Sequence, residues 1–176
     1  MLHEKTKNHT RSAGIFLSVL IAGFVLAATA RAEVPTGKPL PSLSGFNLEG
    51  NVPSLEGKVV LLDFWASWCA PCKASFPAMA GLQQRYADKG LVILAVSVDD
   101  DARAFKRFVE KSSPPFATVR DGKHKLVATM TVPTMPTSFL IDRKGVIRYR
   151  HEGFHGDATI ESYTTQIEQL LAESGS

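Results

Sequence analysis

Cys69 and Cys72 are the only cysteines in the 176-residue chain, and they stand in the run Trp68-Cys69-Ala70-Pro71-Cys72. Three chemistries use such a pair. As a structural staple the bridge closes a four-residue loop, for which chain entropy gives roughly 2 kcal/mol against ~3 for a fifteen-residue loop. As half of a zinc site it needs about two further ligands. The body offers His124, His151 and His155, with no second C-x-x-C and no tight ligand spacing. As a redox couple the pair is well placed, because a buried-strand pattern ends just before it and a helix starts within it. An exposed first sulfur at a helix N-terminus meets unsatisfied N–H groups and a dipole that favour thiolate over thiol. The placement favours the redox reading.

Asp63 is the second informative residue. It interrupts the apolar run Val59-Val60-Leu61-Leu62-Asp63-Phe64-Trp65 six positions before Cys69, so its carboxylate is expected in the interior beneath the pair. Burial without a partner raises a carboxyl pKa toward neutrality. Such a group can take the proton of Cys72 when that thiol attacks a mixed disulfide, directly or through one water. The plainer alternative is a strand-end Asp bonded to backbone.

The elements that must position these residues follow from periodicity. The Val59–Trp65 run reads as a buried strand, and Pro71–Asp88 as a helix with Phe76, Met79, Leu82 and Tyr86 on one stripe and Gly90 closing it. Pro71 suits a first helical turn, and Pro77 predicts a kink. Leu91–Val98 is a second buried strand; Asp99–Asp101 can cap a helix from about Ala102 to Lys111 with Phe105, Phe108 and Val109 inward. Phe116–Val119 is a short strand, and Lys123–Met130 a short helix or turn. Thr137–Asp142 and Val146–Arg150 form a hairpin around Arg143-Lys144-Gly145, and Asp157–Glu173 closes the chain as a helix with Ile160, Tyr163, Ile167, Leu170 and Leu171 on one face. Glu33–Leu43, with three prolines, is an extended lead-in, and Leu43–Leu55 a short hairpin. This order implies an α/β fold: a mixed central sheet with helices on both faces and an N-terminal extension.

Charge separates a leader from this body. The formal charge is +3, but residues 1–32 hold Lys5, Lys7, Arg11 and Arg31 against Glu4. Setting these aside from 20 Lys and Arg and 17 Asp and Glu leaves 16 of each from Glu33 onward. A neutral body gives no electrostatic reason to expect nucleic acid as a partner. Within the leader, Ser12–Ala30 is uncharged with an apolar core, and Ala28-Thr29-Ala30 and Ala30-Arg31-Ala32 are small-x-small patterns suited to signal peptidase. Residues 1–32 are therefore read as a signal peptide or an N-terminal membrane anchor, since the run is close to the ~20 residues that span a bilayer. Either places residues 33–176, one domain, in the periplasm or at the extracytoplasmic face of the membrane. No cysteine follows the leader to take a lipid.

The segment Asp63-Phe64-Trp65-Ala66-Ser67-Trp68-Cys69-Ala70-Pro71-Cys72-Lys73, with Pro77 downstream, resembles the active-site segment of the thioredoxin superfamily. The exported setting, and Met135-Pro136-Thr137-Ser138-Phe139-Leu140-Ile141-Asp142 before a Gly turn, are similar to thiol–disulfide oxidoreductases of the TlpA/ResA type. The likeness runs from about Pro39 to Leu171. It implies a thioredoxin-like fold, a cis peptide before Pro136 facing the cysteines, and a client-contacting rim of Trp68, Pro71, Met135, Pro136 and Thr137. Pro133-Thr134 is a competing Pro-Thr pair; Pro136 is preferred because it directly precedes the strand. Trp65 and Trp68 are expected either to shield the pair from water or to serve as core.

The implied activity is reduction of disulfides in client proteins without a cofactor or metal: Cys69 attacks, Cys72 resolves, and Asp63 accepts the proton. A membrane electron donor of the DsbD/CcdA type is implied for re-reduction, because the space outside the membrane is oxidising. One departure is Ser75, which stands where several cytochrome-c-maturation relatives carry an acid, and which favours a broader disulfide reductant. Ala70 replaces the glycine of typical thioredoxin, so no potential is carried over. Three rivals remain distinguishable. A peroxidase of the peroxiredoxin type needs Pro-x-x-x-Thr-x-x-Cys, which the chain lacks. A thioredoxin-fold copper-binding protein usually has C-x-x-x-C and a distal His, a role open to His151 or His155. A client-binding module without redox turnover would keep its function when both cysteines become serine.

Overall fold

The computed structural model describes Met1 and residues 36–173. The leader and the start of the lead-in lie outside the described residues. Among the described residues no helix is long and apolar enough to cross a membrane.

Strand β1 (Val59–Trp65) is buried along its whole length, because it is the middle of five strands. A parallel neighbour, β2 (Leu91–Ser97), pairs on one side with Asp63 opposite Ala95. On the other side lies the antiparallel β4 (Thr137–Ile141), with Asp63 opposite Ser138. The edges are β3 (Ala117–Arg120), parallel to β2, and β5 (Ile147–Glu152), antiparallel to β4. The sheet order is β3-β2-β1-β4-β5, mixed as the sequence implies. A central strand covered on both faces must be apolar throughout. Asp63 is thus an exception with a specific location.

Side chains alternate across a strand, so β1 feeds two cores. Val59, Leu61 and Trp65 face one side, where α1 (Ala70–Tyr86), α2 (Ala102–Ser112) and α4 (Asp157–Ala172) pack through Phe76, Met79, Phe105, Tyr163, Ile167 and Leu170. Val60, Leu62 and Phe64 face the other, covered by Leu126 of the short α3 (Lys125–Thr129) and by Leu40, Leu43, Phe46, Val52 and Leu55. Asp63 has the parity of Leu61 and Trp65, on the same side as α1 and its cysteines. Gly90, at φ 101°, ends the turn after α1 in a backbone conformation that L residues rarely adopt. Gly145, at φ 79°, turns the β4–β5 hairpin.

The segment Leu43–Leu55 is not the expected hairpin. It is a 3-10 turn over Leu43–Phe46, reversed at Asn47 (φ 52°) and Gly50 (φ 125°), and joined to β3 by a single bridge between Glu49 and Arg120. Its apolar residues all serve the second face of the sheet, so strand pairing within the segment would turn half of them to solvent.

Candidate functional site

The chain leaves β1 at Trp65 and enters α1 at Ala70 with Cys69 as the N-cap residue. Pro71 sits in the first turn, where no N–H partner is needed. The Cys72 N–H donates to Cys69 Sγ at 3.2 Å, so the first sulfur occupies the position where capping oxygens normally accept. The two cysteines are joined in a disulfide. In this state Cys69 is only 5% exposed and Cys72 fully buried, which corrects the expectation of an exposed first sulfur.

The two tryptophans divide. Trp65 is core, its ring 4.7 Å from that of Phe76 and 4.8 Å from that of Phe108. Trp68, 69% exposed, is a large apolar side chain standing in solvent beside the cysteines. It is not core.

The loop between β1 and α1 is held by Asp99, a residue whose sequence context points only to helix capping. Asp99 is buried and accepts from the Ser67 N–H at 3.0 Å, from Ser67 Oγ at 2.7 Å and from Ser97 Oγ at 2.7 Å. Asp101 is the residue that caps α2, accepting from the Arg103 N–H at 2.8 Å. Ser75, buried behind Cys72, donates to the Cys72 carbonyl at 2.8 Å.

Asp63 lies in the interior, 1% exposed, as expected. The alternative of a strand-end Asp tied to backbone does not apply: its Oδ1 accepts from Ser138 Oγ at 2.6 Å. Its Oδ2 is buried without a partner among the described residues. Burial pushes this carboxyl from 3.8 up to about 7, against a smaller opposing effect from the Ser138 bond. Ser138 Oγ in turn lies 2.6 Å from the Tyr163 hydroxyl. Burial, and the nearby Asp63 charge, hold the Tyr163 phenol above its ordinary value. Neither Ser138 nor Tyr163 stands out in the sequence as a site residue. A polar residue in the buried run Thr137–Asp142 was the available signal for Ser138; Tyr163 read as one more member of an apolar stripe.

The Met135–Pro136 peptide is cis, at Pro136 rather than Pro133. Thr137 pairs with Phe64 near the end of β1 from which the loop runs to Cys69. Thr137 is buried and its Oγ1 donates to the Thr134 carbonyl at 2.8 Å, while Met135 packs against both cores. The Gly153 N–H bonds the Pro136 carbonyl at 2.7 Å. His151 does not approach as a free ligand: its Nε2 lies 2.7 Å from Gln166 Oε1 and its ring stands edge-on to Tyr163. Among the described residues no group of three or more His, Cys, Asp or Glu could hold a metal ion. On the α2 side, an open groove of about 430 Å³ is lined by Ser67, Lys73, Arg107, Phe108 and Lys111.

A cysteine pair joined in a disulfide at a helix N-cap just past a central strand, on the same side of a five-stranded mixed sheet as a buried carboxyl, defines a thioredoxin-like thiol–disulfide oxidoreductase class. The chain belongs to the AhpC/TSA family, whose model matches residues 36–150. It is 34% identical over 140 residues to the thiol-disulfide oxidoreductase ResA of Bacillus cereus, covering 78% of this chain and 81% of that one. The thioredoxin-like protein YneN of Bacillus subtilis is 38% identical over 152 residues, covering 80% and 88%. A crystal structure of a Chlorobium tepidum protein, assigned as the thiol:disulfide interchange protein DsbE, superposes with a TM-score of 0.73 at 36% identity, covering 78% of this chain and 99% of that chain.

Proposed function

We propose that this chain reduces disulfides of client proteins outside the cytoplasmic membrane, through the Cys69–Cys72 couple with Asp63 as proton acceptor. The observation that carries the reading is one constellation: Cys69 at the N-cap of α1, Cys72 behind it, and on the same side of the sheet a buried carboxyl poised near neutrality. In the reduced enzyme the Cys69 thiolate, favoured by the helix N-terminus, attacks one sulfur of a client disulfide. A Cys69–client bond forms and the other client sulfur leaves as thiolate. Cys72 then gives its proton to Asp63 and attacks Cys69 Sγ. The Cys69–Cys72 bond forms, the client leaves with both sulfurs reduced, and two electrons have passed from enzyme to client.

Trp68, Pro71, Met135, Pro136 and Thr137 form the client-binding rim in this reading. Support comes from the exposure of Trp68 and Pro71; Pro136 and Thr137 are buried, so in this reading they shape the rim from beneath, beside the end of β1, rather than by open surface. Residues 1–32 act as signal or anchor, and a membrane dithiol donor of the DsbD/CcdA type regenerates the enzyme. Direction is tested by equilibrating the Cys69–Cys72 pair with glutathione. A potential well below that couple is expected; one at or above it would replace reductase by oxidase or isomerase. Cys69→Ser should abolish insulin reduction, and Cys72→Ser should trap clients as mixed disulfides on a non-reducing gel. Retained reduction in the first variant, or no adducts in the second, overturns the assignment.

A further inference from the structure

We propose that Tyr163 and Ser138 are positioning residues for Asp63: a hydroxyl relay from α4 through β4 that occupies one carboxylate oxygen and leaves the other to take the proton. The inference rests on the role given to Asp63 above and deepens it. Two bonds of 2.6 Å join three groups that are at most 2% exposed and come from three elements far apart in sequence. Their polarity follows from valence. An ionised carboxylate only accepts, so Ser138 spends its one hydrogen on Asp63 Oδ1, and the hydrogen between Ser138 and Tyr163 must come from the phenol.

Tyr163 therefore donates to Ser138 and Ser138 to Asp63, each bond polarising the next. With Oδ1 engaged, Oδ2 is the acceptor left over, and it has no partner among the described residues. Among the described residues, strand pairing and hydrogen bonding set these groups around Asp63. Across the strands stand Ala95 and Ser138. From α4 comes Tyr163, through Ser138; the cysteine pair at the start of α1 belongs to the core on the same side of the sheet and titrates only when reduced. His151 lies behind the Tyr163 ring, its Nε2 paired with Gln166. In this surrounding the hydroxyl relay is the feature that favours the charged form against burial. Without it the carboxyl would keep its proton to higher pH.

The test follows the Asp63 carboxyl carbon by NMR across pH in the oxidised protein, where the cysteines are silent. Ser138→Ala should move the midpoint up by about one pH unit, the value of a hydrogen bond to a charged group. Tyr163→Phe should move it up by roughly 0.3 unit through lost polarisation. Ser138→Thr, which keeps the hydroxyl, should restore it. A merely structural role for either residue would leave the midpoint in place. An unmoved midpoint in Ser138→Ala overturns the whole relay, and that variant alone suffices should Tyr163→Phe not fold. A midpoint that moves in Ser138→Ala but not in Tyr163→Phe removes Tyr163 from it. The pH midpoint of mixed-disulfide resolution should shift in parallel. If the NMR midpoints move and the kinetics do not, the relay stands and the assignment of Asp63 as proton acceptor fails instead.

Discussion

Replacing Asp63 by Asn tests whether a carboxylate is held in the interior at a cost. Its pKa is raised from 3.8 to about 7, about three units at about 1.4 kcal/mol each, so the ionised form costs about 4 kcal/mol of folding stability. The direction is fixed by linkage. A raised folded pKa means the folded state binds more protons than the unfolded chain between 3.8 and about 7. Asp63 is fully tolerated below the lower value, its cost grows as pH rises through the window, and it is constant above. Asn does not titrate, although its amide N–H would be buried where Oδ2 has no partner, a pH-independent loss of about 1–3 kcal/mol. Urea unfolding of the oxidised wild type and variant at several pH values between 4 and 8 gives the stability difference. That difference should climb in favour of the variant by up to about 4 kcal/mol, while other carboxylates cancel. A difference flat to within about 1 kcal/mol would refute the reasoning, because burial would then not be raising the Asp63 pKa.

Trp68→Ala should change stability by no more than about 0.5 kcal/mol, since the ring is in solvent, yet lower kcat/KM for protein disulfides about fivefold or more through lost aromatic contact. Unchanged turnover removes Trp68 from the client rim. Asp99→Ala leaves the Ser67 N–H and two serine hydroxyls without their acceptor, and should cost about 3 kcal/mol in urea unfolding. A loss under about 1 kcal/mol would mean the Cys69 loop is held by other contacts. Phe76→Ala opens a cavity among Trp65, Phe108 and Phe116 and should cost about 3–5 kcal/mol by the same measurement. A smaller loss would show that α2 can settle into the space.

Local pattern carried far in this chain. The runs Val59–Trp65 and Leu91–Ser97 are apolar enough to be central strands wherever they occur, and the stripe Phe76, Met79, Leu82, Tyr86 can only be a helix face. Both are decided by period, which is written in one dimension. The C-x-x-C and Asp63 were legible for the same reason: a strand's parity sets the face on which Asp63 lies, and the six residues after it carry the chain to the start of the next helix. Leu43–Leu55 was not legible, because its apolar residues answer to a sheet face built from strands further along the chain. Asp99, Ser138 and Tyr163 were hidden by the same cause. Asp99 looks like one of three capping acids, yet it holds the loop of the redox pair. Tyr163 looks like core, yet its hydroxyl meets Ser138 twenty-five residues away. The sequence alone determined which residues could do redox chemistry and on which elements they ride. What surrounds them was settled by the fold in three dimensions, because a hydrogen bond between buried groups depends on distances across the sheet that no spacing along the chain encodes.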